Sequence, residues 1–445
     1  MREAEREALA ARTLALADAP EAEVLVFDDD TRLSRFTQNA IHQNVAATQT
    51  VVRVRAIENG RAGTSTTNLL TDEALARVAA EALASARLAP PGDAFTGLRA
   101  EPAVAPAAAV PSFAEHTADV SAATRAASAR RIFDAAEAGG LWAAGYVETK
   151  RRGVTLANSL GVVRSFDDTA CGINVKQNAP DSSGFAESFG IDLAKLDAAA
   201  VGARAAGIAD RSRAPRAVPA GDWTVILEAP AFGELLAYIA GHFSGQALDD
   251  GSSFLADGFD RSYAGANVTI VDDVRHQLAP AMPFDFEGTP TQRVVLLDEG
   301  IGRGVVTDAR YAAKLERPNT GHSLPQPNAD GPQAQSLVVL PGTKSVESLI
   351  AETERGLLVT RFWYIRPVDY KKTIVTGMTR DGTFLIEHGR IVCGVRNLRF
   401  NQSILGALAN CEFSSDQIRT EGIFYRSVVP AVKFAKFHFS STTDF

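Results

Sequence analysis

Asp272, Asp273, Asp285 and Glu287 lie near one another in the chain and invite a chemical reading. Grouped carboxylates can bind a hard cation or work as an acid and base pair. These four fall at the ends of apolar runs and just before Gly288, where acids also act as turn and capping groups. That second role fits the local pattern better. Thr320 and Gly321 sit in an Asn-Thr-Gly-His turn and join the acids as possible cleft or turn residues. His276, His322, His388 and His438 are isolated, and Cys393 and Cys411 have no CxxC partner, so no metal-ligand spacing emerges. Cys171, Cys393 and Cys411 read as small buried hydrophobes. Gly300 to Gly304 (GIGRG) lacks the Lys-Ser/Thr of a phosphate loop and reads as a turn leading into a helix near Asp308. Arg361, Trp363 and Tyr364 could contact a peptide, and alternation on a half-buried strand explains them equally well.

His242 closes a segment in which Leu235, Ile239 and Phe243 recur at helical spacing. A histidine in the last turn of such a helix can meet the negative helix end. That packing role stands against metal ligation, which one imidazole alone would perform weakly.

These residues need a scaffold. The chain has 445 residues, which points to two or three domains. Its composition, 46% hydrophobic and 22% charged, is that of a soluble globular protein. A net charge of -8 argues against nucleic acid as a partner. The nearest basic patch, Lys150-Arg151-Arg152, reads as a solvated strand end or turn. Three cysteines give no disulfide framework, and no apolar run reaches membrane-span length. With no signal-type apolar core near Met1, the expectation is a cytoplasmic protein without a membrane partner.

Local patterns predict an α+β chain: an amino-terminal α/β domain and a strand-rich, largely antiparallel carboxy-terminal domain. Helices are expected over Glu3–Asp18, Thr71–Arg87, Phe113–Glu137, Pro230–Phe243 and Ser345–Glu354. Strands are expected over Glu23–Asp28, Gln49–Ile57, Gly145–Thr149, Val154–Asn158, Gly161–Asp167 and, in the second half, over runs such as Leu357–Ile365 and Thr383–Val392. Asn59-Gly60, Asp381-Gly382 and His388-Gly389 are hairpin turn signals. The Ala- and Pro-rich stretch at about 99–111 reads as a linker. The boundary falls near residue 215, giving domains 1–215 and 216–445.

In this order the segments resemble a known family. Val52–Ala86 (VRVRAIENGRAGTSTTNLLTDEALARVAAEALASA) is similar to the amino-terminal pattern of the TldD/PmbA (TldE) family. Asn158–Gly161, Val271-Asp272-Asp273, Phe284–Pro290, Asn319–His322, and Pro341–Ser345 with Gly356–Thr360 resemble its later landmarks. The likeness runs from about residue 20 to 440.

Catalytic members of that family carry HExxxH on a helix. Imidazoles ligate zinc, which lowers the pKa of a bound water, and the Glu takes the proton. Here the first His position holds Ala237, the Glu position holds Tyr238, and the second His remains as His242. A methyl group cannot ligate zinc, and a phenol is a poor base near neutrality. The resemblance therefore implies the TldE branch: a non-catalytic subunit with no cofactor of its own. Zinc is expected in a TldD-like metallopeptidase partner, in a heterodimer acting on unfolded or extended peptides; a homodimer is also open. The alternatives are an autonomous peptidase with a non-standard site and a peptide-binding scaffold without hydrolytic role.

Overall fold

The structure is a computed structural model, and it describes residues 1–90, 97–98, 100, 110–421 and 426–443. The linker expected at about 99–111 lies, apart from residues 100, 110 and 111, outside the described residues.

The first half folds around an antiparallel sheet of six strands in the order β3-β2-β1-β4-β5-β6. These are β1 (Glu21–Thr37), β2 (Ala40–Glu58), β3 (Arg61–Thr67), β4 (Trp142–Asn158), β5 (Val163–Asn178) and β6 (Ser183–Gly190). Helices α1 (Glu3–Ala15), α2 (Asp72–Leu88), α3 (Glu115–Ala118), α4 (Ala122–Ala138) and α5 (Ala198–Arg211) accompany it. The α2 helix starts where the Thr71 hydroxyl accepts from the Ala74 N–H. Its apolar stripe, including Leu75, Val78 and Leu83, packs on Val24, Val26, Val52 and Val54. The α4 and α5 stripes meet the other end of the sheet at Ile132, Phe133, Ile173 and Val175.

Several expectations need correction. β1 and β2 run far past the short strands expected, because Asp28, Asp29 and Asp30 on β1 lie opposite Gly153, Arg152 and Arg151 on β4. Opposite charges across strands let a polar segment stay in a sheet. The basic run 150–152 is thus neither a strand end nor a turn. It is central in β4, with Lys150 paired to Glu148, Arg151 to Asp28 and Arg152 to Asp168. The single helix expected from Phe113 divides into α3 and α4, because the Ser121 hydroxyl caps a new start by accepting from the Thr124 N–H.

Between α5 and residue 221 the chain crosses to a second sheet, and Arg216 already bridges to Val395 there. This sheet has thirteen strands. They are β7 (Gly221–Leu227), β8 (Ile270–Asp272), β9 (Val294–Asp298), β10 (Ile301–Gly302), β11 (Ser336–Val339), β12 (Arg355–Val359), β13 (Phe362–Asp369), β14 (Ile374–Thr379), β15 (Thr383–Glu387), β16 (Arg390–Gly394), β17 (Leu398–Ser403), β18 (Cys411–Glu421) and β19 (Arg426–Thr442). Among their described pairings only β11 with β19 and β12 with β7 are parallel. The result is an α+β chain, largely antiparallel in its second half. β19 is the hub, pairing with β11, β18, β7 and β17. The run expected as one strand over Leu357–Ile365 splits into β12 and β13. At the break the Thr360 hydroxyl turns to the carbonyls of Asp381 and Gly382.

Helix α6 (Ala229–Ala240) lies on this sheet and buries Phe232, Leu235, Leu236 and Ile239 against β19 and its neighbours. Each such side chain contributes roughly 1.5–3 kcal/mol. Four short helices complete the unit: α7 (Gly245–Asp249), α8 (Ala309–Lys314), α9 (Val346–Ala351) and α10 (Ile404–Leu408). No helix among the described residues is long and apolar enough to cross a membrane.

Candidate functional site

Between the two sheets lies a cavity of about 440 Å³. Its first wall comes from the amino-terminal sheet, where Tyr146 on β4, Asn174 on β5 and Glu187 on β6 are register partners in one row across the strands. Phe185 and Phe189 flank Glu187 at two-residue spacing and so share its face of β6. The Asn174 side-chain amide donates to Glu187 at 3.2 Å.

The second wall is built on α6. Pro230, Gly233, Glu234, Ala237 and Tyr238 recur at three and four residues and form the one face of that helix not used in the core. Gly233 is required there, since a β-carbon would stand 2.5 Å from the Thr420 hydroxyl oxygen on β18. The α6 helix also holds β13. Tyr238 donates to the Ile365 carbonyl at 2.6 Å, and Glu234 accepts from the Phe362 N–H at 3.1 Å.

β13 pairs only with β14 among the described strands, and its register is interrupted between Trp363 and Arg366. Tyr364 takes a φ of 59°, which breaks the alternation expected of a half-buried strand. Consecutive residues then face outward: Trp363 is 41% exposed and Tyr364 64%. Both line the cavity, as does Arg361. The Arg361 guanidinium lies 3.8 Å over Phe185 and bonds Asp381 at 3.0 Å.

The two glutamates feel this enclosure. Burial lifts Glu187 to about 7 against the pull of Arg361 and Asn174. Burial lifts Glu234 to about 8, and the nearby charge of Glu187 adds to the shift. Glu421, which also lines the cavity, is held below its ordinary value: burial opposes, but Arg419 and Arg426 outweigh it. Neither Glu187 nor Glu234 stood out in the sequence. Glu187 lies in a strand that local patterns missed, and Glu234 in a helix read for its apolar stripe.

Of Ala237, Tyr238 and His242, the positions expected to correspond to HExxxH, the cavity takes the first two but not His242. After Gly241 the helix tightens into a single 3-10 turn, and the His242 ring turns inward. It stacks on Tyr370 with centroids 4.1 Å apart and lies beside Phe254, whose N–H meets Nδ1 at 3.3 Å. Burial presses its pKa down to about 4. These residues do not fit a zinc ion, because two supply no ligand and the third is packed among rings. Among the described residues, no three His, Cys, Asp or Glu side chains are grouped as a metal ion would require.

The remaining candidates are turn and capping groups away from the cavity. Asp285 accepts from the N–H groups of Glu287, Thr289 and Ser323. Glu287 accepts from Ala309 at the start of α8, and Asp273 from Arg275. Asp272 accepts from Gln335 and Ser336, and its other oxygen meets His322 Nε2 at 3.0 Å. His322 Nδ1 meets the Thr320 hydroxyl at 2.9 Å. The sequence reading left His322 isolated, yet here it joins two candidate residues in a buried chain. All three are buried, and none borders the cavity, so the chain ties loops together rather than facing a substrate. Gly321 passes against Pro290 with a φ of 72°. Cys171 and Cys411 are buried, with thiols pushed up to about 12, while Cys393 is half-buried.

Residues 220–441 match the model of the PmbA/TldA metallopeptidase C-terminal domain, and residues 22–86 match domain 1 of the same metallopeptidases. A metalloprotease TldD homolog from Buchnera aphidicola is 25% identical over 184 residues, spanning 40% of this chain and 38% of that protein. The crystal structure of TldE from Thermococcus kodakarensis superposes with a TM-score of 0.87 at 20% identity, covering 98% of this chain and all (100%) of that one. A protein from Thermotoga maritima, described as a candidate modulator of a DNA gyrase, gives 0.85 at 19% identity, again covering 98% and 100%. One of like description from Bacteroides thetaiotaomicron gives 0.82 at 17%, covering 99% and 100%. At such identities the superpositions speak for the fold, while the two domain matches, together spanning more than half of the chain, speak for descent. The chain belongs to the PmbA/TldD family, whose members are related to metallopeptidases.

Proposed function

We propose that this chain is a non-catalytic, TldE-like subunit that holds an extended peptide in the interdomain cleft while a TldD-like partner supplies the zinc and the hydrolysis. One observation carries this reading. The helix face that would present an imidazole and a carboxylate presents Ala237 and Tyr238, and Tyr238 is engaged with the backbone of β13. A second feature supports the role in peptide holding. β13 borders the cleft and, among the described strands, pairs only with β14, so backbone groups of its other edge beyond the Phe362 N–H and the Ile365 carbonyl, which Glu234 and Tyr238 occupy, can meet an extended chain. The aromatic rings of Phe185, Phe189 and Trp363 offer side-chain contact alongside. On this reading the complex works in the cytoplasm on unfolded segments.

The test is co-expression with a TldD-like chain that carries HExxxH, followed by native mass measurement, metal analysis and assay on an unstructured peptide. The expected outcome is a heterodimer with zinc on the partner and no hydrolysis by this chain alone. Hydrolysis by the isolated chain, lost in Glu234→Gln, would replace the reading with an autonomous enzyme. A stable homodimer that binds peptide and ignores the partner would replace it with a scaffold.

A further inference from the structure

The cleft contains more acid than its own cations satisfy. Among the described residues Glu187 makes no ion pair, and its one side-chain partner is the neutral amide of Asn174. Glu234 has a single cation within reach, Arg361 Nε at 4.0 Å. That Nε is buried and makes no hydrogen bond. The guanidinium is engaged elsewhere, bonded to Asp381 and stacked over Phe185. Asp381 in turn is held by Lys176 at 2.9 Å. Arg366 also lines the cavity, but it donates to the Ile365 carbonyl and lies over Tyr364. Glu421 has Arg419 and Arg426 as partners. Two carboxyl groups, one from β6 and one from α6, are therefore left under-compensated in an enclosed, aromatic-lined space. A desolvated carboxylate calls for a cation with hydrogen-bond donors.

Building on the peptide-holding role proposed above, we infer that the cleft selects peptides bearing a protonated amine, which Glu187 and Glu234 grip together while its hydrocarbon stem lies against the aromatic lining. Aromatic rings suit such a group, since their faces attract a cation and their bodies cover methylenes. The amine is either a lysine side chain or a free peptide amino terminus. Binding is proton-linked. In the empty cleft Glu187 and Glu234, raised by burial to about 7 and about 8, hold protons near neutrality, and an arriving ammonium displaces them. Arg361 faces them as the nearby cation; Asp381 and Glu421 are held below their ordinary values and the phenols of Tyr146 and Tyr238 above theirs, so those four keep their charge states through about pH 6–9. Preference for the ammonium therefore grows with pH over that range.

The experiment uses the full chain and three dye-labelled, unstructured peptides of equal length. One has an internal lysine and an acetylated amino terminus; one is neutral and acetylated; one is neutral with a free α-amine. Fluorescence anisotropy is read from pH 6 to pH 9. The expected result is a preference of about tenfold for an amine-bearing peptide at pH 8, fading toward parity at pH 6. A lysine preference holds up to pH 9, whereas an α-amine preference passes a maximum near pH 8, because that amine loses its proton there. Glu187→Gln and Glu234→Gln each erase most of the preference. If either variant fails to unfold cooperatively, the wild-type pH profile serves as the test. Equal binding of all three peptides sinks the amine preference and leaves the peptide cleft standing. Binding of none sinks both. A preference that survives both substitutions, or stays flat with pH, places the recognition elsewhere and overturns the inference.

Discussion

Tyr238 and Ile365 are joined by a hydrogen bond of 2.6 Å, the phenol on α6 donating to a carbonyl of β13. The contact ties the helix facing the cleft to the strand along its rim. It also uses the side chain that, on the proposed reading, takes the place of a catalytic carboxylate.

Tyr238→Phe keeps the ring and removes that donor. The loss should cost at most about 1 kcal/mol, because the Ile365 carbonyl loses one of its two donors and keeps Arg366. Urea denaturation would register it as a lower midpoint at unchanged slope. A midpoint equal to wild type would mean that the contact does not hold the strand.

Restoring the family pattern with Ala237→His and Tyr238→Glu should not create a peptidase. His242 is stacked on Tyr370 and its Nδ1 meets the Phe254 N–H, so it is not placed to complete a ligand set. Metal analysis after dialysis should find well under one zinc per chain. A full equivalent, with peptide hydrolysis, would show that the end of α6 reorganises readily.

Gly233→Ala should destabilise the chain by about 1–3 kcal/mol, the usual range for overpacking. The new methyl would meet Thr420, whose β-carbon and hydroxyl oxygen lie 3.1 and 2.5 Å from it. Differential scanning calorimetry reads this as a lower Tm. Pairing the change with Thr420→Ser, which removes a methyl but not the hydroxyl, should recover only part of the loss.

Stability should depend on pH through Glu234. Its folded pKa, about 8, lies above the ordinary 4.5. The folded chain thus holds a proton that the unfolded chain releases. Whatever stability this confers is complete below about pH 4.5 and is lost as pH rises through about 8. Glu187 acts in the same direction, with its loss complete nearer pH 7. Glu234→Gln cannot titrate, so its unfolding midpoint should fall less than that of wild type between pH 5 and pH 8.5. Parallel curves would remove Glu234 as the source.

Much of the fold was legible because the signals are local. Thr71 caps α2, Asn59-Gly60 turns β2 into β3 with both residues at positive φ, and Asp308 caps α8. Those contacts span a few residues, which a single stretch of sequence contains. The misread elements failed for the opposite reason. The strand expected over Glu23–Asp28 stops at the acidic run until Arg152 and Arg151 are placed opposite Asp29 and Asp30, more than a hundred residues away. His322 looks isolated until β8 carries Asp272 to its Nε2.

By itself the sequence determined the family likeness, the α6 helix, and a methyl and a phenol rather than an imidazole and a carboxylate at Ala237 and Tyr238, since each is a matter of residue identity at a known spacing. Only the tertiary structure decided that these positions face a cleft, that His242 turns away from it, and that Glu187 and Glu234 share it. Those facts depend on how two separate sheets and one helix pack. No local pattern carries that information, because burial, and the charge balance that follows from it, belongs to the assembled walls.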